Sequence, residues 1–221
     1  MEKQPFIAIV ERYYPWIESL EKAAFRIHDE VNQKYDNQLP YGFHLKMTAS
    51  YVSRYGYWVA EDEADVLVLY ASAYLHDSIE DTRMSYNDVV RFVDDFIKAN
   101  MWLPEDVVAK IKEQAPDIVY ALTNEKGRTR KERANDAYYK GIRETRLASF
   151  VKMCDRLANI QYTTMFVFAN RMLEVYRKEH PAFILAIGEG AVTPLPEVMR
   201  LEADRLLDGD TYIVSDELRD S

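Results

Sequence analysis

The chain has 221 residues, 48% of them hydrophobic, with only 7 Gly, 8 Pro and 1 Cys and a net charge of −9. That length and apolar content suit one domain with a sizeable core, and the shortage of Gly and Pro argues for an α-rich globule over a sandwich or barrel. The negative charge disfavours extended nucleic acid and anionic membranes as partners. The lone Cys154, the absence of a leader-like pattern in residues 1–10 and the shortness of the apolar runs lead to the expectation of a cytoplasmic chain.

In chain order, residues 13–31 read as an amphipathic helix, with Ile17, Leu20, Ala24, Ile27 and Val31 recurring at helical spacing. Residues 36–42 form a loop carrying Pro40, and residues 44–59 a second helix. Asp62 suits the N-cap of a third helix that runs to about Glu80. Ser85 with Asp88 three residues on starts another, over 89–99, and Leu103-Pro104-Glu105-Asp106 opens the next. Residues 124–129 are a polar loop around Gly127, followed by two long helices at 131–142 and 145 to about 179. A loop at 188–193 precedes a last helix at 196–207. With no repeat and no linker, the expectation is one all-α helical bundle over residues 1–208 and a flexible tail over 209–221.

Chemistry concentrates first in Ala73-Tyr74-Leu75-His76-Asp77-Ser78-Ile79-Glu80-Asp81-Thr82. If helical, His76 and Glu80 share one stripe, and Asp77 and Asp81 the next. Crowded carboxylates beside a core-forming stretch are costly unless a cation compensates them, and a bound metal suits this donor set. A solvated acidic helix end would explain Glu80 and Asp81. It fits His76-Asp77 poorly, because that pair directly follows the uncharged run Val66–Leu75.

His44 follows the rigid turn Pro40-Tyr41 in the first turn of a helix, which would fix it well as a ligand or pack it on Tyr41. Asp155 and Asn159 share a face of the otherwise apolar segment Phe150–Ile160; Arg156 projects about 100° away. A buried Asp155 calls for a metal or for an arginine from elsewhere in the bundle. Cys154 reads as a small core residue. His28 reads as structural, and His180, before Pro181, as a helix cap or surface residue. Lys126-Gly127-Arg128-Thr129-Arg130-Lys131-Glu132-Arg133 is strongly basic and could clamp a polyphosphate through Arg128 and Lys131, or be a solvated loop.

The order His44, His76-Asp77, Asp155 resembles the H…HD…D signature of the HD superfamily of metal-dependent phosphohydrolases. Pro40-Tyr41-x-x-His44, Leu75-His76-Asp77-x-x-Glu80-Asp81-Thr82 and Val151-Lys152-x-x-Asp155-Arg156-Leu157-x-Asn159 are similar to the motifs of the RelA/SpoT-type (p)ppGpp hydrolase domains and the small alarmone hydrolases. The likeness covers about residues 20 to 180. It implies one divalent ion, commonly Mn²⁺, on His44, His76, Asp77 and Asp155. Glu80 and Asp81 would orient a water and take its proton, Asn159 would contact the nucleotide, and Tyr176 and Arg171 could border the pocket. The expected activity is removal of the 3′-pyrophosphate from a guanosine alarmone such as (p)ppGpp. The alternatives are another HD nucleotide phosphoesterase of 5′-nucleotidase type, or an inactive nucleotide-binding regulatory module. The chain departs from the branch at Asn32–Leu39, where a basic pair is usual and only Lys34 stands, and in its longer interval between His44 and His76. Oligomeric state is open.

Overall fold

A computed structural model describes residues 1–100, 102–124, 128–166 and 170–209, without the side chains of 130, 131 and 170. Apart from Gly209, the expected tail lies outside the described residues. The architecture is all-α, with one two-stranded hairpin among the described residues, β1 (Lys34–Tyr35) paired antiparallel with β2 (Leu39–Pro40).

The chain opens with α1 (Lys3–Arg12) and α2 (Tyr14–Glu30), which bury Phe6 and Ile9, and Trp16, Ile17, Leu20 and Ala24. Helix α1 went unrecognised in the sequence because it offers only two buried apolar positions. After the hairpin, α3 (Gly42–Tyr55) starts hard against α2: a Cβ at Gly42 would lie 2.7 Å from the Phe25 ring. The next helix, α4 (Glu63–Leu75), is buried from Ala64 onward. Its Asp62 cap accepts from Asp65 N at 2.9 Å, as the capping signal indicates. A helix apolar all round belongs at the centre of a bundle, and α4 packs on α1, α2, α3, α7 and α10.

Beyond α4 the chain turns at His76-Asp77 into the short α5 (Ser78–Thr82), so the expected continuous helix to Glu80 is two pieces. Then follow α6 (Tyr86–Ala99), opened by a full Ser85–Asp88 capping box, and α7 (Glu105–Leu122), with Pro104 as N-cap. The two long helices expected over 131–179 are four: α8 (Arg130–Arg133), α9 (Asp136–Glu144), α10 (Ala148–Met165) and α11 (Asn170–Gly188). Asn135 restarts the chain by capping Tyr138 N, and Leu147, at φ 65°, breaks it before α10. Pro181 does not end α11, because Tyr176, His180, Phe183 and Ile187 continue one buried face across it. The last described helix is α12 (Glu197–Asp208), and the buried side chains form one cluster from Phe6 to Leu207.

Candidate metal centre

Three elements bring the expected ligands together: the first turn of α3 supplies His44, the α4–α5 turn supplies His76 and Asp77, and the middle of α10 supplies Asp155. His44 Nε2 lies 3.2 Å from His76 Nε2 and 3.3 Å from both Asp77 Oδ2 and Asp155 Oδ1. His76 Nε2 lies 2.9 Å from Asp77 Oδ2 and 3.8 Å from Asp155 Oδ1. Both imidazoles are buried.

Each group is held from behind. His76 Nδ1 meets Ala73 O at 2.9 Å, which puts its proton there and turns a lone pair on Nε2 toward the cluster. Tyr41 donates its hydroxyl to Asp77 Oδ2 at 2.6 Å. Lys152 donates to Asp155 Oδ2 at 2.9 Å, and Asn159 Nδ2 to Asp155 Oδ1 at 2.5 Å. His44 Nδ1, also buried, has no hydrogen-bond partner among the described residues; the ring lies instead under Tyr35, centroids 4.8 Å apart and planes 16° from parallel.

The donor set fits a cation. Two imidazole nitrogens facing each other at 3.2 Å cannot both be lone pairs or both be N–H groups without repulsion. An N–H on one and a lone pair on the other satisfies the contact in the ion-free chain; a divalent ion would let both present lone pairs and would balance the carboxylates. His44, His76 and Asp77 offer ligand atoms that all lie within 4.8 Å of one another, a group that can hold a divalent metal ion. Burial drives His44 and His76 toward the neutral form, but the carboxylates of Asp155 and Asp77 outweigh it and hold both above the ordinary imidazole pKa in the ion-free chain. Burial opposes charge on Asp77 and Asp155 likewise. His76 and His44 beside Asp77, and Lys152 with the imidazoles beside Asp155, overcome it and pull both carboxyls well down.

Above the cluster opens a cleft of about 830 Å³, lined among others by Tyr35, Tyr41, Glu80, Asp81, Asn124, Arg133, Lys152, Arg156, Asn159, Tyr176 and Lys178. The Glu80 carboxylate accepts from Asn124 Nδ2 at 2.7 and 2.8 Å. Burial, and the charge on Asp77, raise the Asp81 carboxyl to about 6. Arg156 is not an Asp155 partner: it pairs with Glu179 at 3.2 Å and lies over the Phe183 and Tyr176 rings. The cation that meets Asp155 is Lys152 from one turn earlier on the same helix.

Asn159 lines the cleft, with Nδ2 on Asp155 O and Oδ1, and Oδ1 accepting the Tyr35 hydroxyl at 2.8 Å. Tyr176 lines the cleft as expected, whereas Arg128 and Arg171 are exposed and are not among its lining residues. Lys126 and the Lys131 side chain lie outside the described residues; of the basic run, Arg133 reaches the lining. His28 is a core residue as read, its ring parallel to Tyr41 at 4.3 Å and pushed by burial to about 4. His180 is neither cap nor surface. It is buried within α11 and joins α12 through Asp204 at 3.0 Å. Sequence reasoning missed Tyr35, Lys152 and Asn124. Lys152 was legible as the i−3 neighbour of Asp155; Tyr35, on the short strand β1, and Asn124, in a loop, lie on segments whose path no local pattern reveals.

No family model, curated protein or solved structure matches the chain. Among the described residues, no helix is long and apolar enough to cross a membrane.

Proposed function

We propose that this chain is a metal-dependent phosphohydrolase of the HD type, acting on a nucleotide and removing the 3′-pyrophosphate of a guanosine alarmone such as (p)ppGpp. The observation that carries this reading is the convergence of His44 Nε2, His76 Nε2, Asp77 Oδ2 and Asp155 Oδ1 at the floor of a cleft that also exposes two carboxylates, Glu80 and Asp81. His44, His76 and Asp77, with Asp155 as fourth ligand, would hold the ion, Mn²⁺ in our reading. Such an ion supplies a Lewis acid for a phosphoryl oxygen and a lowered pKa for bound water.

The remaining roles belong to the chain. Asp81, with a carboxyl raised to about 6, is poised near neutrality to accept a proton from water and pass it on. Glu80, tethered through both oxygens to Asn124, orients that water. Lys152 cancels the charge on the outer oxygen of Asp155, so that a phosphate can approach a site otherwise rich in carboxylates. Arg133 and Lys178 add cations along the cleft wall.

A second reading, hydrolysis of a simple nucleoside phosphate, is favoured by one observation: the loop before Pro40 presents Tyr35 to the cleft rather than a pair of cations. A turnover assay with Mn²⁺ on ppGpp, pppGpp, their adenine analogues and nucleoside monophosphates separates the two. Chelator-sensitive pyrophosphate from ppGpp supports the first reading and orthophosphate from a monophosphate the second. Binding without turnover of any of these would leave only a regulatory module and overturn both.

A further inference from the structure

The segment between α2 and α3 is held in an unusual backbone. Asn32, Asp36 and Asn37 have φ of 54°, 49° and 58°, in the left-handed region that Asn and Asp tolerate better than other side chains. Non-glycine residues in that region, set beside a functional cleft, point to a conformation that the surroundings enforce. Two fastenings enforce it here. Tyr35 pairs with Leu39 in the hairpin, and Asp36 Oδ2 accepts the Tyr162 hydroxyl at 3.0 Å.

The result is to fix Tyr35 in two contacts with the cluster. Its ring lies on His44, the imidazole whose Nδ1 finds no hydrogen bond among the described residues. Its hydroxyl donates to Asn159 Oδ1 at 2.8 Å, and Asn159 in turn donates to Asp155 Oδ1 at 2.5 Å.

We propose that Tyr35 is a positioning residue for the metal centre, which sets its affinity from the hairpin by clamping the His44 ring and locking Asn159 against Asp155. The inference rests on the reading of the cluster as a divalent-cation site. Groups that orient ligands from behind commonly carry 10- to 100-fold in metal affinity.

The test is Mn²⁺ affinity, read by electron paramagnetic resonance from the loss of the free-ion signal, together with melting of the ion-free protein. Tyr35→Phe keeps the ring and loses the hydroxyl. It is expected to weaken Mn²⁺ about 10-fold while the ion-free melting temperature stays within about 2 °C of wild type. Asn159→Ala, which leaves the hairpin intact, should weaken Mn²⁺ at least as much. Adding Tyr35→Phe to Asn159→Ala should cost less than about 2-fold more, because the hydroxyl acts through Asn159. Tyr162→Phe removes one of the two fastenings but keeps the Tyr35 hydroxyl and the Tyr35–Leu39 pairing, and should weaken Mn²⁺ clearly less than Tyr35→Phe does.

Wild-type affinity in Tyr35→Phe or Asn159→Ala, a full further loss in the double variant, or an equal loss in Tyr162→Phe would each overturn the assignment. Wild-type protein that takes up no Mn²⁺ would instead fail the cation-site reading itself and remove the basis for Tyr35 with it.

Discussion

Replacing Asp155 by Ala should change both the ion-free protein and its response to metal, by amounts that the structure lets one work out. In the ion-free chain the Asp155 carboxylate faces Lys152 at 2.9 Å and the two imidazoles at 3.3 and 3.8 Å. Removing one partner of a buried ion pair costs about 3–5 kcal/mol. The Lys152 side chain keeps 16% of its surface exposed and the imidazoles can shed a proton, so the lower end, about 3 kcal/mol, applies. For a chain of this size that lowers the melting temperature by roughly 6–12 °C in chelator. Mn²⁺ at 100 times its dissociation constant should raise wild-type stability by about 2.7 kcal/mol, or roughly 5–11 °C. If the loss of one ligand weakens binding about 100-fold, the same Mn²⁺ gives the variant only about 0.4 kcal/mol, a shift under about 2 °C. Differential scanning calorimetry in chelator and in Mn²⁺ reads both effects. A variant with the wild-type Mn²⁺ shift would remove Asp155 from the site, and a wild type with no shift would refute the metal centre.

Glu80→Gln should leave Mn²⁺ affinity unchanged and slow turnover by about 10²-fold; unchanged kcat would take Glu80 out of the mechanism. Mn²⁺ affinity should fall as pH drops through 7, because His44 and His76 titrate above 6.5 in the ion-free chain and must lose their protons to bind. Titration calorimetry in two buffers of different ionisation enthalpy should show proton release on binding, and an affinity flat from pH 6 to 8 would contradict the ligand set. Asp65, fully buried, accepts two bonds from Arg146 at 2.5 and 2.6 Å and lies 2.7 Å from Lys110. Burial opposes its charge but these cations overcome it and hold its carboxyl below the ordinary range. Asp65→Asn should therefore cost about 2 kcal/mol at neutral pH, discounted for the part-exposed cations. A lowered folded pKa gives stability that is complete above the unfolded value near 3.9 and is lost as pH falls from there through the lower folded value. Urea melts of wild type and Asp65→Asn should thus draw together progressively as pH falls below about 4, and a gap that does not narrow with falling pH would refute the role of the charge.

The parts of the molecule that local rules govern were legible in the sequence. Asp62 and Ser85 cap helices because their side chains satisfy amides three residues on, and the uncharged run to Leu75 lies at the centre because nothing in it needs water. The candidate ligands drew notice singly by their places, His44 after a Pro-Tyr turn, His76-Asp77 at the end of a buried helix and Asp155 on an apolar one, and the resemblance to HD-type motifs is what joined them in one set. What escaped depends on long-range closure. The break at Leu147 needs Thr193, whose hydroxyl takes the Leu147 amide at 2.8 Å across the fold. Tyr35 reaches Asn159, 124 positions away, only because a strained hairpin aims it there. Asn159, read as a substrate contact, lines the cleft and also bonds Asp155 and Tyr35, a further connection that spacing along one helix does not carry. Pro181 suggested a helix end, but the buried face running from Tyr176 to Ile187 outweighs one missing amide.

Anomalous diffraction at the manganese edge, from crystals grown with Mn²⁺, tests the central claim most directly. A single strong peak within bonding distance of His44 Nε2, His76 Nε2, Asp77 Oδ2 and Asp155 Oδ1, absent from crystals of Asp155→Ala, is the predicted result. A peak elsewhere, or none at the cluster in crystals saturated with Mn²⁺, would contradict the assignment of this cleft as a metal-dependent active site.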